Sequence, residues 1–342
     1  MFSQVECEES LRKNFPEIYR IAMRNSWWNN ISPLRIWISF ASSGYVYHLL
    51  GLEHTLSYLR GALSPRDYGR LTKDLFNPNN FWGHVTEVCT ARWLITRGLT
   101  IVEVEKSYGN SKPDFTVSDG QDEGVIECKT VLSSPSHELT LSPEDALVYL
   151  MKDVNLPGHV SFHDLLTNES QVYELFCEFL EWLATDTLSG YNARPVTKTL
   201  PSGYMFTIDY SVPGSWGVVG SRTPNLYPTE HDTRKFVGDA TTKKNQVGNH
   251  SGYNSIVLDA SFFPALTLPF NGKPLTDQWF CENDSEGIIS SILFVGLNLP
   301  EGTLMPSPTM YTNPYSHFTS NVIHYLLLQP PTLTWENFIS GF

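Results

Sequence analysis

Hydrophobic and polar positions divide the chain into stretches with different periods. Leu99 to Glu105, Pro113 to Val117 and Gly124 to Val131 are short runs carrying β-branched and aromatic residues, the composition of strands. The second run opens on a proline, which a strand start tolerates. A loop over Ser107 to Lys112 precedes it, and Ser118 to Glu123 after it is dense in turn residues, with Asp119-Gly120 as a hairpin signal. Upstream, Asn80 can cap a helix over Phe81 to Arg97, which Gly98 would end at the position where positive φ is common.

The same reading extends outward. Ser10 to Asn25, Leu52 to Leu63 and Pro65 to Phe76 read as helices, the last with Ser64 as its cap and Pro65 at its first position. Further on, Ser142-Pro143 starts a helix towards Lys152, and Asn168 with Gln171 caps another to about Thr185. Val172, Leu175, Phe176, Phe179, Trp182 and Leu183 form an apolar stripe on that second helix, suited to core packing or to a subunit interface. Tyr204 to Tyr210 alternates as a strand. Pro213 to Gly220, which contains three glycines but lacks the flanks of a nucleotide loop, reads as a turn. Glu230 to Val247 is a helix, Ser255 to Phe262 and Gly287 to Gly296 are apolar strands, and the region from Leu299 is proline-punctuated until the apolar segment Phe318 to Leu328.

The hairpin makes a geometric claim. With the turn centred between Gly120 and Gln121, Val117 faces Gly124, Thr116 faces Val125, Phe115 faces Ile126 and Asp114 faces Glu127. Opposed residues share a face with Cβ atoms roughly 4.5 to 5.5 Å apart. Period two then adds Lys129 to the face of Glu127 and turns Cys128 away, as a small buried residue rather than a nucleophile. A slip of one residue would separate Asp114 from Glu127. Two carboxylates at this spacing repel each other unless a cation lies between them. A hard divalent cation such as Mg²⁺ or Mn²⁺ suits carboxylate oxygens and completes its shell with water and phosphate, and Lys129 could orient a nucleophile or stabilise transition-state charge. A solvated hairpin face with a surface ion pair is the simpler alternative.

At these residues the chain resembles the PD-(D/E)XK nuclease family, with Pro113-Asp114 as the first half-motif and Glu127-Cys128-Lys129 as the second. The resemblance covers about fifty to sixty of 342 residues. It implies an α/β fold, a restriction-endonuclease-like mixed β-sheet flanked by helices. On this scheme residues 1–79 form an N-terminal helical region, and 80–134 form the first part of the core, a helix and a three-strand meander. An acidic, mainly helical insertion occupies 135–229, 230–298 complete the core with a helix and strands, and 299–342 are a C-terminal tail. The resemblance further implies Asp114 and Glu127 as metal ligands, the Cys128 backbone carbonyl as a third, and Lys129 as the catalytic lysine. Glu87 holds the place of an acidic residue that family members carry on the first helix, with His84 one turn away; a solvated glutamate is the alternative.

Charge qualifies this expectation. The chain carries a net −13, unlike the basic stripe that usually accompanies phosphate binding. Ten acids against the single base Lys152 lie between Pro135 and Gly190, a local −9 that leaves −4 for the rest. Arg234, Lys235, Lys243, Lys244 and Gln246 on the helix after the insertion are candidate phosphate contacts, or the ordinary solvated ends of a helix. Trp27, Trp28 and Trp37 are either a stacking surface for bases or core. Five scattered cysteines show neither disulfide nor zinc spacing, and no apolar run reads as a membrane span or signal peptide.

The expected protein is thus a cytoplasmic, Mg²⁺- or Mn²⁺-dependent endonuclease acting on DNA. Dimerisation and defence against foreign DNA follow from the resemblance, while the acidic charge and the lack of a recognisable DNA-reading module point to control by a regulatory protein or ligand. The alternatives are a non-catalytic nucleic-acid-binding or assembly protein on the same fold and, less compatibly with the carboxylate spacing, a sugar hydrolase.

Overall fold

In a computed structural model, the first strand pairs antiparallel with the second and the second with the third, while the third runs parallel to a strand more than a hundred residues later. The structure describes residues 4–24, 33–39, 46–77, 80–109, 111–131, 147, 151, 154–163, 169–185, 195–211, 214–218, 230–247, 250–260, 269–304, 308–318 and 322–328.

The N-terminal region is helical: α1 (Gln4–Asn14), α2 (Pro16–Ala22), α3 (Pro33–Ser39), α4 (Val46–Ala62) and α5 (Pro65–Thr72). A continuous helix over Ser10 to Asn25 does not form, because Phe15 precedes Pro16 and takes an extended-side backbone, φ −139°. Ser64 caps α5 as expected, its hydroxyl accepting from the Asp67 N–H. Trp37 is fully buried against Phe81 and Trp82, which makes it core; Trp27 and Trp28 lie outside the described residues.

α6 (Phe81–Thr96) leads into β1 (Thr100–Val104), β2 (Phe115–Ser118) and β3 (Glu123–Thr130). β4 (His159–Phe162), α7 (Glu169–Thr185), β5 (Val196–Thr199), β6 (Met205–Asp209) and β7 (Ser215–Val218) follow. The chain continues through α8 (Glu230–Val247), β8 (Tyr253–Asp259), α9 (Pro269–Asn283), β9 (Ser291–Val295), β10 (Leu297–Asn298), β11 (Thr303–Leu304), β12 (Thr309–Thr312) and α10 (Val322–Leu328). The main sheet has the order β1-β2-β3-β8-β9-β12; β3, β8 and β9 are mutually parallel and the other pairings antiparallel. It is a mixed sheet flanked by helices, and all seven residues of β8 are buried, as a central parallel strand covered on both faces requires.

The two faces bury different partners. Val117, Ile126, Cys128, Val257 and Leu293 join a core that includes Val85, Val88 and Cys89 of α6. Val125, Ile256, Leu258, Ile292 and Phe294 meet Phe236 and Ala240 of α8 and Trp279 and Phe280 of α9. Helix α6 is pinned by buried hydroxyls: Thr86 Oγ1 donates to Asp259 Oδ2 at 2.9 Å and lies 2.8 Å from Thr130 Oγ1.

Three expectations need correction. The stretch 135–229 is not mainly helical among its described residues: β5-β6-β4-β7 form a second sheet, on which Phe179 and Trp182 of α7 pack with Phe162 and Phe206. The apolar stripe of α7 is therefore core packing. Alternation over Tyr204 to Tyr210 announced β6, but β4, β5 and β7 have four residues each, too short to be announced in the same way. Within Pro213 to Gly220, β7 replaces the expected turn, and Gly214 is required because a Cβ there would lie 2.4 Å from the Leu156 carbonyl oxygen. Finally, the segment after Leu299 is no mere tail, since β12 closes one edge of the main sheet on β9. The cap Asn168 and most of the helix expected from Ser142 lie outside the described residues.

Thr86→Val keeps the shape of the side chain but removes a hydroxyl shared by two buried groups. We expect a loss of about 2 kcal/mol, the usual penalty for stranding a buried polar partner, read as a lower urea midpoint.

Candidate functional site

The hairpin adopts the register derived from the sequence, Phe115↔Ile126, Thr116↔Val125 and Val117↔Gly124. Asp119 builds the turn by accepting from the N–H groups of Gln121 and Asp122, with Gly120 at φ 99°. One residue before β2, Asp114 is fixed at three points. Its N–H donates to Glu127 Oε2 at 2.7 Å, its carbonyl accepts from the Glu105 N–H at 2.9 Å, and its Oδ2 accepts from the Cys128 N–H at 2.7 Å. Glu105 reaches that carbonyl from the left-handed region, φ 53°, at a cost on the order of 1–2 kcal/mol for a residue with a Cβ. The aspartate carboxylate thus takes over as acceptor where the β2–β3 ladder stops. Since a strand residue directs its N–H and C=O to the same side, the Cys128 carbonyl also faces Asp114.

Glu127 is fully buried, on the sheet face it shares with Val125 and Ile256, beneath α8. Burial, and then the charge of Asp114, push its carboxyl up to about 8. Opposing them is Lys243 of α8, whose Nζ lies 2.7 Å from Glu127 Oε1 and 3.8 Å from Asp114 Oδ2. Burial favours loss of the Lys243 proton, but the two carboxylates outweigh it and raise its proton affinity. An ammonium does converge on the two carboxylates, and it comes from α8.

Lys129 keeps the expected strand face, yet its Nζ lies 3.8 Å from Asp239 Oδ1, and Lys235 approaches the same carboxylate at 3.8 Å. Lys235, Asp239 and Lys243 are spaced four apart and so share one side of α8. Lys243 meets Glu127 and Asp239 meets Lys129, so helix and strand run in opposite directions with charges matched along the seam. The spacing Lys-x₃-Asp-x₃-Lys was visible in the sequence; that it covered Glu127 was not.

From α6, Glu87 Oε2 lies 3.3 Å from His84 Nδ1. Burial, and next the Asp114 charge, raise the Glu87 carboxyl; burial would lower His84, but the hydrogen bond and charge of Glu87 raise it on balance. Glu87 therefore feels the charge of Asp114 while its hydrogen bond is to the imidazole of His84.

The remaining candidates do not form one phosphate-facing group. Lys243 is inside the carboxylate cluster, and Lys244, about 100° around the helix from it, pairs with Asp284 at 3.1 Å and Glu286 at 2.6 Å. Lys235 is drawn to Asp239, Gln246 Oε1 is buried without a hydrogen-bond partner, and Arg234 is exposed near the start of α8. Adjacent helical residues cannot share a face, and buried carboxylates claim the nearest lysine.

Among the described residues no group of three or more His, Cys, Asp or Glu side chains surrounds a metal position. Mg²⁺ does not need one, because one or two carboxylates with waters and phosphate oxygens suffice. Asp114, Glu127 and the Cys128 carbonyl are hard oxygen donors, and the buried pair has already drawn in one cation, so the donor set suits a divalent ion. The Cys128 thiol is on the other face, its pKa raised well above normal by burial and then by Asp114, as befits an inert packing group.

No protein-family model, curated protein or solved structure matches this chain.

The raised Glu127 value carries a sign for stability. The folded state binds the proton more tightly than the unfolded chain, so the contribution is fully present below the ordinary value of 4.5 and is lost as pH rises through about 8. Metal-free protein should lose stability over that window, and Glu127→Gln should flatten the loss in thermal melts taken at successive pH values.

Proposed function

We propose that this protein is a metal-dependent nuclease that hydrolyses phosphodiester bonds, with DNA as its substrate and a restriction-endonuclease-like core. The observation that carries the reading is the contact of Asp114 with Glu127 at the end of the hairpin, 2.7 Å from N–H to carboxylate. The order helix, antiparallel three-strand meander, helix and parallel strand supports it further.

Asp114, Glu127 and the Cys128 carbonyl would hold Mg²⁺ or Mn²⁺. Bound there, the ion would supply Lewis-acid polarisation of the phosphate and lower the pKa of a water. The chain itself orients these donors through the three anchors on Asp114. Lys129 is held only at 3.8 Å by Asp239 and stands two residues beyond Glu127, within the span of a lysine that orients a nucleophile or meets developing negative charge. Glu87 and His84 form a hydrogen-bonded acid–base pair beside Asp114, suited to moving a proton at the site's edge. Cytoplasmic action in defence against foreign DNA, a dimer that cuts both strands, and a regulatory protein or ligand belong to the same proposal. Among the described residues, no helix is long and apolar enough to cross a membrane.

One observation favours a second reading, a non-catalytic nucleic-acid-binding or assembly protein: Lys243 already supplies a cation to the carboxylate pair. Cleavage separates the two. With Mg²⁺ or Mn²⁺ the protein should degrade DNA, Asp114→Ala and Lys129→Ala should each lose on the order of 10²-fold or more in rate, and Ca²⁺ should support binding without comparable cutting. Equal rates for all three proteins, or none in any, would leave the binding protein as the better description.

A further inference from the structure

Lys243 does something for the carboxylate pair that the nuclease reading does not require. It arrives from a different element, α8, and its side chain is only 13% exposed. Its Nζ contacts Glu127 Oε1 at 2.7 Å and lies 3.8 Å from Asp114 Oδ2. The Glu127 oxygens are thus divided between Lys243 and the Asp114 N–H, and Asp114 Oδ2 is engaged by the Cys128 N–H. A divalent ion taking both carboxylates must bind oxygens from the same small set, so it and the ammonium compete for them.

We propose that Lys243 is a built-in counter-ion of the pair, a positioning residue that holds Asp114 and Glu127 together without metal and must withdraw when a divalent cation enters. This rests on the proposed metal-dependent reading and adds a regulation to it: cation affinity is set by how readily one lysine leaves. The geometry also says which lysine it is not. Lys129, on the motif strand, is directed to Asp239.

The charged groups around Lys243 explain why displacement is feasible. Asp239, one turn earlier on α8, places a carboxylate along the same seam, approached by Lys129 and Lys235 at 3.8 Å each. An ammonium on a flexible four-carbon stem can reorient there, whereas an arginine fork would be held in place. The described residues therefore provide both the lock and a means of release.

The test is calorimetric titration of Mn²⁺ alone, without nucleic acid, into wild-type protein, Lys243→Met, Lys243→Arg and Lys129→Met. Lys243→Met should bind Mn²⁺ about tenfold more tightly or better, Lys129→Met within about twofold of wild type, and Lys243→Arg no more tightly than wild type. Unchanged affinity in Lys243→Met, or an equal gain in Lys129→Met, overturns the proposal. Because Lys243→Met leaves two uncompensated carboxylates and could misfold, a second measurement uses wild-type protein only. Reductive methylation of Lys243, followed by peptide mass spectrometry, should be slow in chelator and several-fold faster with Mg²⁺, with the Lys235 rate unchanged; equal Lys243 rates overturn the proposal. The two readings fail separately. Wild type that cuts DNA while Lys243→Met binds Mn²⁺ normally retains the nuclease and discards the counter-ion, whereas Mn²⁺ binding that obeys the lysine rule without any cutting does the reverse.

Discussion

A carboxylate buried on an apolar sheet face is the constraint around which this site is arranged. Glu127 lies level with Ile256 on the neighbouring strand and Ile292 on the next, a row that is otherwise hydrophobic. An isolated charge there would be several kcal/mol unfavourable even after relaxation. The fold answers with one ammonium and one backbone N–H, those of Lys243 and Asp114, so that both oxygens of Glu127 are engaged.

Those two partners couple distant parts of the chain. Asp114 can donate to Glu127 only because the hairpin register puts it level with that residue, and Lys243 only because α8 packs across β3 with its polar side inward at this point. The apolar positions Phe236 and Ala240 bury α8, while Lys235, Asp239 and Lys243 form a charged seam beside them. A one-turn shift of α8 in one direction would bring Lys243 over Lys129, and in the other would bring Asp239 over Glu127 and Lys235 over Lys129, so either slip sets like charges together. Electrostatics therefore helps to specify a docking that hydrophobic contact alone would leave loosely defined.

Where one period ran long enough, the sequence was legible. The hairpin register followed from the turn residues Asp119 and Gly120, the α8 limits matched Glu230 to Val247, and the Ser64 cap was where expected. Regions that resisted have specific causes. The four-residue strands of the second sheet are stabilised by pairing rather than by their own pattern, and β7 is entered through Gly214, a glycine needed for close backbone approach. Helix α9 includes Pro274, a residue that argues against a helix when only local sequence is considered.

By itself the sequence determined the juxtaposition of Asp114 with Glu127, because both lie on one hairpin and strand pairing is a local, period-two relation. It also determined that Lys129 shares the strand face of Glu127. Only the tertiary structure decided which ammonium reaches the pair, because Lys243 is 116 residues away from Glu127 and arrives by helix packing. Face and contact are different properties: alternation assigns a side chain to one side of a sheet, but the element laid over that side supplies its partner. The same distinction separates Lys243 from Lys244, neighbours in sequence that α-helical rotation sends to unrelated carboxylates.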